Sequence, residues 1–244
     1  MLEFELVLPC YNESKSLEKL IRRSREAALK SGFSPESFQL VLVENGSLDS
    51  SAGVLKLLEQ GDLAPWFRVV PVKPNRGYGN GLWRGLQTCK ARFVGWSHAD
   101  QQCDPQDAFR AYTELQKLEH GTGGKFVVKG ARHGRDPKDR FVSSVFEFLA
   151  RIVLGQKLSE INAQPKVFRR ELLEHLHNPP LNFAFDLYVL HRALAKSWSL
   201  REIPVHFPPR IHGVSNWAGS FFSRYRTILG MISYMLQLRR ENQD

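Results

Sequence analysis

Residues Phe4 to Glu13 read FELVLPCYNE: a short apolar run, a proline, then a cluster of polar side chains. The run Phe4–Leu8 predicts a strand that ends at Pro9. From Ser14 to Lys30 the period changes. Leu17, Leu20, Ile21 and Leu29 recur near every 3.6 residues, which predicts a helix with Ser14 as its N-cap. The same unit then repeats. Strands are expected at Gln39–Val43, Phe67–Val72, Arg92–Trp96 and Lys125–Lys129. Helices are expected at Asp49–Leu58 (capped by Ser47 or Asp49), Gly81–Lys90 and Pro105–Leu118, the last with proline in its first turn. Nearly continuous apolar strands alternating with helices predict an α/β fold, a mostly parallel central sheet covered on both faces.

Ligands of such sheets bind at the carboxyl ends of the strands. Four strand ends here carry chemistry: Pro9-Cys10-Tyr11-Asn12-Glu13, Glu44-Asn45-Gly46-Ser47, Asn75-Arg76-Gly77 and His98-Ala99-Asp100. In Ser97-His98-Ala99-Asp100-Gln101-Gln102, Asp100 and Gln102 alternate with His98, so an extended backbone aims all three at one point. Oxygen donors of this kind suit Mg²⁺ or Mn²⁺, and the imidazole favours Mn²⁺; alternatively Asp100 caps the next turn. Tyr11 offers a face to a base or ribose. Glu13 and Glu44 can accept hydrogen bonds from either, although Glu13 also suits the first turn of a helix. Asn75-Arg76-Gly77-Tyr78-Gly79-Asn80-Gly81 is no dinucleotide fingerprint, because position 82 is Leu and the loop follows the third strand. Its glycines serve either close approach to a ligand or a turn. Arg132, Arg210, His212 and Ser215 are candidates for phosphate contacts, or parts of a solvated surface. Asp186, among aromatics in Phe183-Ala184-Phe185-Asp186, is either a base of raised pKa or a satisfied helix-start residue.

The second half of the chain reads differently. Arg132–Arg140 is basic and polar and is expected to be a mobile loop, a lid over the site. Phe141–Leu154 predicts a helix, Ile161–Phe168 an irregular segment or strand, Asn182–Lys196 a helix and Leu200–Val205 a strand. Phe207–Asn216 predicts a loop, and Trp217–Arg240 one long helix. With no linker-like stretch, residues 1–216 are expected to form one catalytic domain and residues 217–244 an amphipathic helix appended to it.

Composition limits the partners. The 244 residues hold 34 Lys and Arg against 25 Asp and Glu, a surplus of nine that points to an anionic partner. No aromatic-interleaved basic stripe or nucleic-acid motif is present, so nucleic acid is not expected. Three cysteines form no disulfide framework and no Cys-x-x-Cys pair. The N-terminal run lacks the basic region of an export signal, and the apolar stretch Thr227–Leu238 is too short to span a bilayer. A cytoplasmic location is therefore expected, with peripheral contact at the inner membrane face. In the tail, Phe221, Phe222, Tyr225, Ile228, Leu229, Ile232, Met235 and Leu236 form an apolar stripe near Arg224, Arg226, Arg239 and Arg240. Such a stripe either lies in an anionic membrane interface or packs on the rest of the protein.

Together these segments resemble the family 2 glycosyltransferases of GT-A fold, notably the dolichyl- and polyprenyl-phosphate sugar synthase branch. The family's Pro-x-Tyr-Asn-Glu opening appears as Pro9–Glu13. Its Asp-Asp-Gly-Ser appears as Glu44–Ser47, and its Asp-Ala-Asp-x-Gln as His98–Gln102. Ile161–Phe168 and Pro209–Ser215 also look like family segments. The resemblance implies that Pro9, Tyr11, Glu13 and Glu44 hold the base and ribose of a nucleotide sugar. It implies that Asp100 and Gln102 hold Mn²⁺ or Mg²⁺ at the diphosphate, with Asp100 also on the donor; His98, where the family has an aspartate, can still serve as a ligand. Arg132, Arg210, His212 and Ser215 would meet phosphates, and Arg132 and Asp186 are the candidate catalytic residues. The implied activity is inverting, metal-dependent sugar transfer from a UDP- or GDP-sugar to polyprenyl phosphate. The alternatives are transfer to a hydroxyl of a cell-surface glycan, or a nucleotide-binding scaffold without catalysis. The chain departs from the family pattern at Glu44 for Asp, Glu160 for Asp and, at the metal segment, His98 for Asp.

Overall fold

The computed structural model describes residues 2–134, 137–207 and 221–241. Seven strands form one sheet in the order β3-β2-β1-β4-β6-β5-β7. The strands are β1 (Phe4–Cys10), β2 (Phe38–Glu44), β3 (Phe67–Pro71), β4 (Phe93–Trp96), β5 (Phe126–His133), β6 (Lys166–Arg169) and β7 (Ser199–His206). Four pairings are parallel, and only β6 runs against its neighbours β4 and β5. The helices are α1 (Leu17–Lys30), α2 (Ser51–Leu58), α3 (Tyr78–Gln87), α4 (Pro105–Thr122), α5 (Pro137–Leu154), α6 (Phe185–Ala195) and α7 (Phe221–Glu241).

Strand β1 shows why the sequence folds this way. Leu6 and Leu8 point into one core, with Phe4, Phe38, Phe109 and Tyr112 under α1, α2 and α4. Val7 points into a second core with Val41, Val43, Trp96, Phe168 and Leu187 under α3, α5 and α6. Both faces are covered, so the strand is apolar throughout rather than alternating. Glu5 is the exception, and it sits at the far end of the sheet from the strand carboxyl ends. Its buried carboxylate accepts from the amides of Lys90 and Ala91 and pairs with Arg68.

The order of strands fixes the site. The chain leaves β1 for β2 and β3 on one side, then returns to place β4 on the other. The crevice at the carboxyl ends of β1 and β4 is therefore a topological switch point, where ligands of open α/β sheets bind.

Two expectations are corrected. Arg132–Arg140 is not one loop: Arg132 and His133 lie on β5, which pairs with β7 in register from Phe126↔Ser199 to His133↔His206, and α5 already begins at Pro137. The pairing with a distant strand overrides the local polar pattern. The helix expected from Gly81 begins three residues earlier, at Tyr78. In the tail, Met231, Met235 and Leu238 are buried, the last two within the second core, whereas Leu236 is exposed. Trp217 and the side chains of Phe221, Phe222, Arg224, Tyr225, Arg226, Ile228 and Leu229 lie outside the description. Among the described residues, no helix is long and apolar enough to cross a membrane.

Candidate functional site

At the switch point the loops after β1 and β2 are joined by backbone-to-side-chain hydrogen bonds. The Asn12 amide donates to Ser47 Oγ at 3.1 Å, Asn12 Oδ1 accepts from the Leu48 amide at 2.8 Å, and the Glu13 amide donates to Ser51 Oγ at 3.0 Å. Asn12 adopts φ 56°, a left-handed value that asparagine tolerates. Asp49 takes the Ser14 amide at 3.1 Å and the Ser51 amide at 2.9 Å. Burial, the largest single influence, pushes the Asp49 carboxyl up, but the hydrogen bonds from Ser51 and Ser14 together outweigh it and hold the group at about 2. Tyr11 is exposed at the mouth of this pair of loops.

The expected donor-binding side chains fall into two groups. Tyr11 presents its ring to solvent, and half-buried Glu13 also accepts from Ser16 Oγ at 2.7 Å. Glu44 is buried, and its Oε1 accepts from the Ser47 amide at 2.6 Å, so it shapes the turn below the mouth. Pro9 lies inside β1, in register with Val43.

The glycines of the third loop face another segment of the chain. A Cβ on Gly77 would lie 2.4 Å from the Leu181 carbonyl oxygen, and one on Gly79 would lie 2.2 Å from that of Pro180. Asn45 Nδ2 donates to the Gly77 carbonyl at 3.2 Å, and the Asn80 amide to Leu181 O at 3.1 Å. These glycines let α3 start flush against residues 180–182.

The segment after β4 turns instead of extending. Asp100 Oδ1 accepts from the Gln102 amide at 3.1 Å, and Gln101 adopts φ 61°. His98, Asp100 and Gln102 therefore do not alternate along an extended backbone as expected, though all three are half-buried on one loop at the switch point. Among the described residues no group of three His, Cys, Asp or Glu side chains forms a metal centre. An imidazole, one carboxylate and an amide oxygen suit a cation only where a bound diphosphate completes its shell.

Asp186 is a buried side chain. It is 2% exposed on α6, and its Oδ1 accepts from Trp96 Nε1 at 3.2 Å, from Gln164 Nε2 at 2.9 Å and from the Lys166 ammonium. Lys166 is wholly buried on β6 and also donates to the Ala163 carbonyl at 2.9 Å. Burial pulls its pKa down to about 8, against the opposing pull of Asp186. Gln164 Nε2 also lies 3.2 Å from Tyr78 Oη. The Tyr78 ring stacks on Phe183 with centroids 5.2 Å apart and lies 5.8 Å from the His98 ring. A buried network thus runs from Lys166 and Asp186 to the wall of the crevice beside His98. Sequence reasoning missed Lys166, Gln164 and Tyr78. Its available signal was a lysine inside the apolar run before Val167 and Phe168.

Arg132 stands at the carboxyl end of β5, with Nε donating to Glu160 Oε2 at 2.6 Å. The Glu160 amide in turn donates to Glu147 Oε1 of α5 at 2.7 Å. Arg210, His212 and Ser215 lie outside the described residues.

Comparison with known proteins adds three observations. Residues 5–177 match the family model described as "Glycosyl transferase family 2". Dodecaprenyl-phosphate galacturonate synthase of Rhizobium johnstonii is 26% identical over 98% of this chain and 68% of its own length. Undecaprenyl-phosphate 4-deoxy-4-formamido-L-arabinose transferase of Pseudomonas fluorescens is 29% identical over 87% of this chain, which spans only 59% of that relative. Two solved structures share the fold at 18% identity. Mannosyl-3-phosphoglycerate synthase from Rubrobacter xylanophilus has a TM-score of 0.72, covering 100% of this chain and 76% of its own. Glucosyl-3-phosphoglycerate synthase from Mycobacterium tuberculosis, in complex with Mn²⁺, UDP and glucosyl-3-phosphoglycerate, has a TM-score of 0.67, covering 98% and 80%. The architecture is the GT-A fold.

Proposed function

The chain belongs to glycosyl transferase family 2, and from that premise we propose that it moves a sugar from a nucleoside-diphosphate donor to polyprenyl phosphate. The observation that favours a phosphate acceptor is the state of Asp186. A sugar hydroxyl must lose its proton as the new bond forms, so it needs a base. The carboxylate expected to serve is buried under Trp96 and already takes three donors. A phosphate oxygen is a nucleophile without deprotonation. The names of two relatives, a dodecaprenyl-phosphate synthase and an undecaprenyl-phosphate transferase, point to the same acceptor class.

In this reading Tyr11 covers the base, Glu13 contacts the ribose, and the Glu44 turn fixes the loop that carries them. His98, Asp100 and Gln102 face the diphosphate and would hold Mn²⁺ or Mg²⁺ with it. The cation, when bound, neutralises charge on the leaving diphosphate. Arg132 turns from Glu160 to a phosphate, where a guanidinium binds two oxygens at once. The acceptor oxygen attacks the anomeric carbon opposite the leaving group. The new C–O bond forms as the bond to the diphosphate breaks, and the centre inverts. A nucleotide-binding scaffold without catalysis is the second reading, favoured by the single carboxylate of the metal loop.

The test is a thermal-shift panel of UDP, GDP, dTDP and CMP, each with and without Mn²⁺, followed by transfer from the matching donor to a short prenyl phosphate. Ligand that binds only the native state raises its stability by mass action. One diphosphate stabilising the protein only with metal, followed by transfer, supports the proposal. Binding without transfer selects the scaffold, and no shift with any nucleotide defeats both.

A further inference from the structure

The turn before α6 is pinned to the loop after β3. Gly77 and Gly79 lack the Cβ atoms that would collide with residues 180–182, and the Asn80 amide donates to the Leu181 carbonyl at 3.1 Å. Asn182 Oδ1 accepts from the Ala184 amide at 2.9 Å, which fixes the residue between them, Phe183. The two phenylalanines of this turn point different ways. Phe185 is wholly buried, its ring centroid 5.6 Å from that of Trp96, whereas Phe183 is 45% exposed. The exposed ring is nevertheless held. It lies nearly parallel to the Tyr78 ring, with 18° between the planes and 5.2 Å between centroids. Tyr78 turns its hydroxyl inward, 3.2 Å from Gln164 Nε2, and that amide also donates to Asp186. The Tyr78 ring stands 5.8 Å from the ring of His98.

We infer that Phe183, backed by Tyr78, is the platform on which the sugar of the donor rests. The ligand class is a pyranose ring, whose C–H face packs on an aromatic face while its hydroxyls turn to polar groups. Small-molecule sites combine such aromatic walls with a few polar side chains that fix orientation. Here His98 stands beside the stack. Position argues for the sugar rather than for a lipid tail. With His98, Asp100 and Gln102 facing the diphosphate, the next group along the donor is the sugar, and the stack adjoins His98. The platform is also in place before the ligand arrives, because Tyr78 is tied to the buried network of Gln164 and Asp186. A wall that is already ordered loses little freedom on binding. The inference deepens the transferase reading and rests on it.

The test compares bare nucleotide with nucleotide sugar by titration calorimetry, with Mn²⁺ and without acceptor. UDP is set against UDP-glucose and UDP-galacturonate, and GDP against GDP-mannose. The wild type fixes the reference ratio of affinities for the pair it binds. Phe183→Ala is expected to weaken the nucleotide sugar by about three- to tenfold, the worth of one aromatic stacking contact, and to leave the bare diphosphate within about twofold. Unchanged binding of the bare diphosphate also shows that the variant is folded. Phe183→Trp should restore the wild-type ratio. Phe183→Leu, apolar but not flat, should behave like Phe183→Ala, which separates stacking from general packing. A Phe183→Ala ratio equal to that of the wild type overturns the inference. So does an effect confined to the KM for a short prenyl phosphate, since the acceptor tail would then occupy the stack. Wild type that binds a diphosphate but none of its sugar conjugates overturns it too, because a flat platform accepts any pyranose face. Wild type that binds no nucleotide at all defeats the transferase reading itself, and the inference with it.

Discussion

Asp186→Asn separates a base from a structural anion. In the wild type one oxygen of Asp186 gathers the Trp96 indole, the Gln164 amide and the Lys166 ammonium, at 2% exposure. Asparagine keeps an acceptor for the two neutral donors but leaves a buried ammonium without its counter-charge. Breaking a buried pair by removing one partner costs about 3–5 kcal/mol. For a domain of this size each kcal/mol is about 2–4 °C, so the melting temperature should fall by about 6–20 °C. Lys166→Met should destabilise by a similar amount. The double variant, with both charges gone, should recover much of the loss, because an apolar replacement of a buried pair is often neutral. The assay is urea unfolding of the four proteins as a double-mutant cycle, with transfer measured well below each melting point. Wild-type stability in Asp186→Asn, together with abolished turnover and unchanged nucleotide binding, would refute the reasoning and return Asp186 to the role of base.

Gly79→Ala should destabilise by about 1–3 kcal/mol, because its Cβ meets the Pro180 backbone oxygen at 2.2 Å and no flexible side chain can yield. A melting temperature within error of wild type would contradict that packing. Glu5→Ala should cost about 3–5 kcal/mol by taking the counter-charge from Arg68, which keeps its bonds to Thr88, and the acceptor from two amides. Nucleotide affinity of the folded fraction, read by titration, should not change, since Glu5 sits at the far end of the sheet. The Asp49 carboxyl, at about 2 against an ordinary 3.8, contributes stability that is present above 3.8 and lost as pH falls through 2. Protection of the Ser14 amide from hydrogen exchange, relative to its intrinsic rate at each pH, should therefore fall across that window, and Asp49→Asn should flatten the pH dependence. His98→Asp should raise the Mn²⁺-dependent nucleotide shift if the loop is a shared cation site. A fall would mean that the imidazole itself is a ligand.

The parts legible in the sequence were those set by local period and punctuation. The β1–α1, β2–α2 and β4–α4 units could be read because apolar runs and helical period act within a few residues, although β1 runs past Pro9 to Cys10 and the residues that precede α1 and α2 are Ser16 and Ser50 rather than the expected caps. The edge of the sheet that carries the site followed, because loaded loops after successive parallel strands share it; the switch point within that edge came from the strand order. The parts that could not be read depend on distant partners. Strand β5 extends to His133 only because β7 pairs with it residue for residue, which turned an expected lid into strand and helix. The His98–Gln102 loop looked extended by alternation, yet the Asp100 side chain bends it onto the Gln102 amide.

The sequence by itself determined the two-faced apolar strands, the alternation with helices and the positions of the polar strand ends, since burial on both sides leaves a period that one chain carries alone. Only the tertiary structure shows what surrounds Asp186. A carboxylate between aromatics reads equally well as a base and as a buried anion. The antiparallel strand β6 delivers to it a lysine 20 residues away in sequence, which favours the buried anion. Long-range pairing in a dry interior decides whether such a charge is free to react, and no local pattern encodes it.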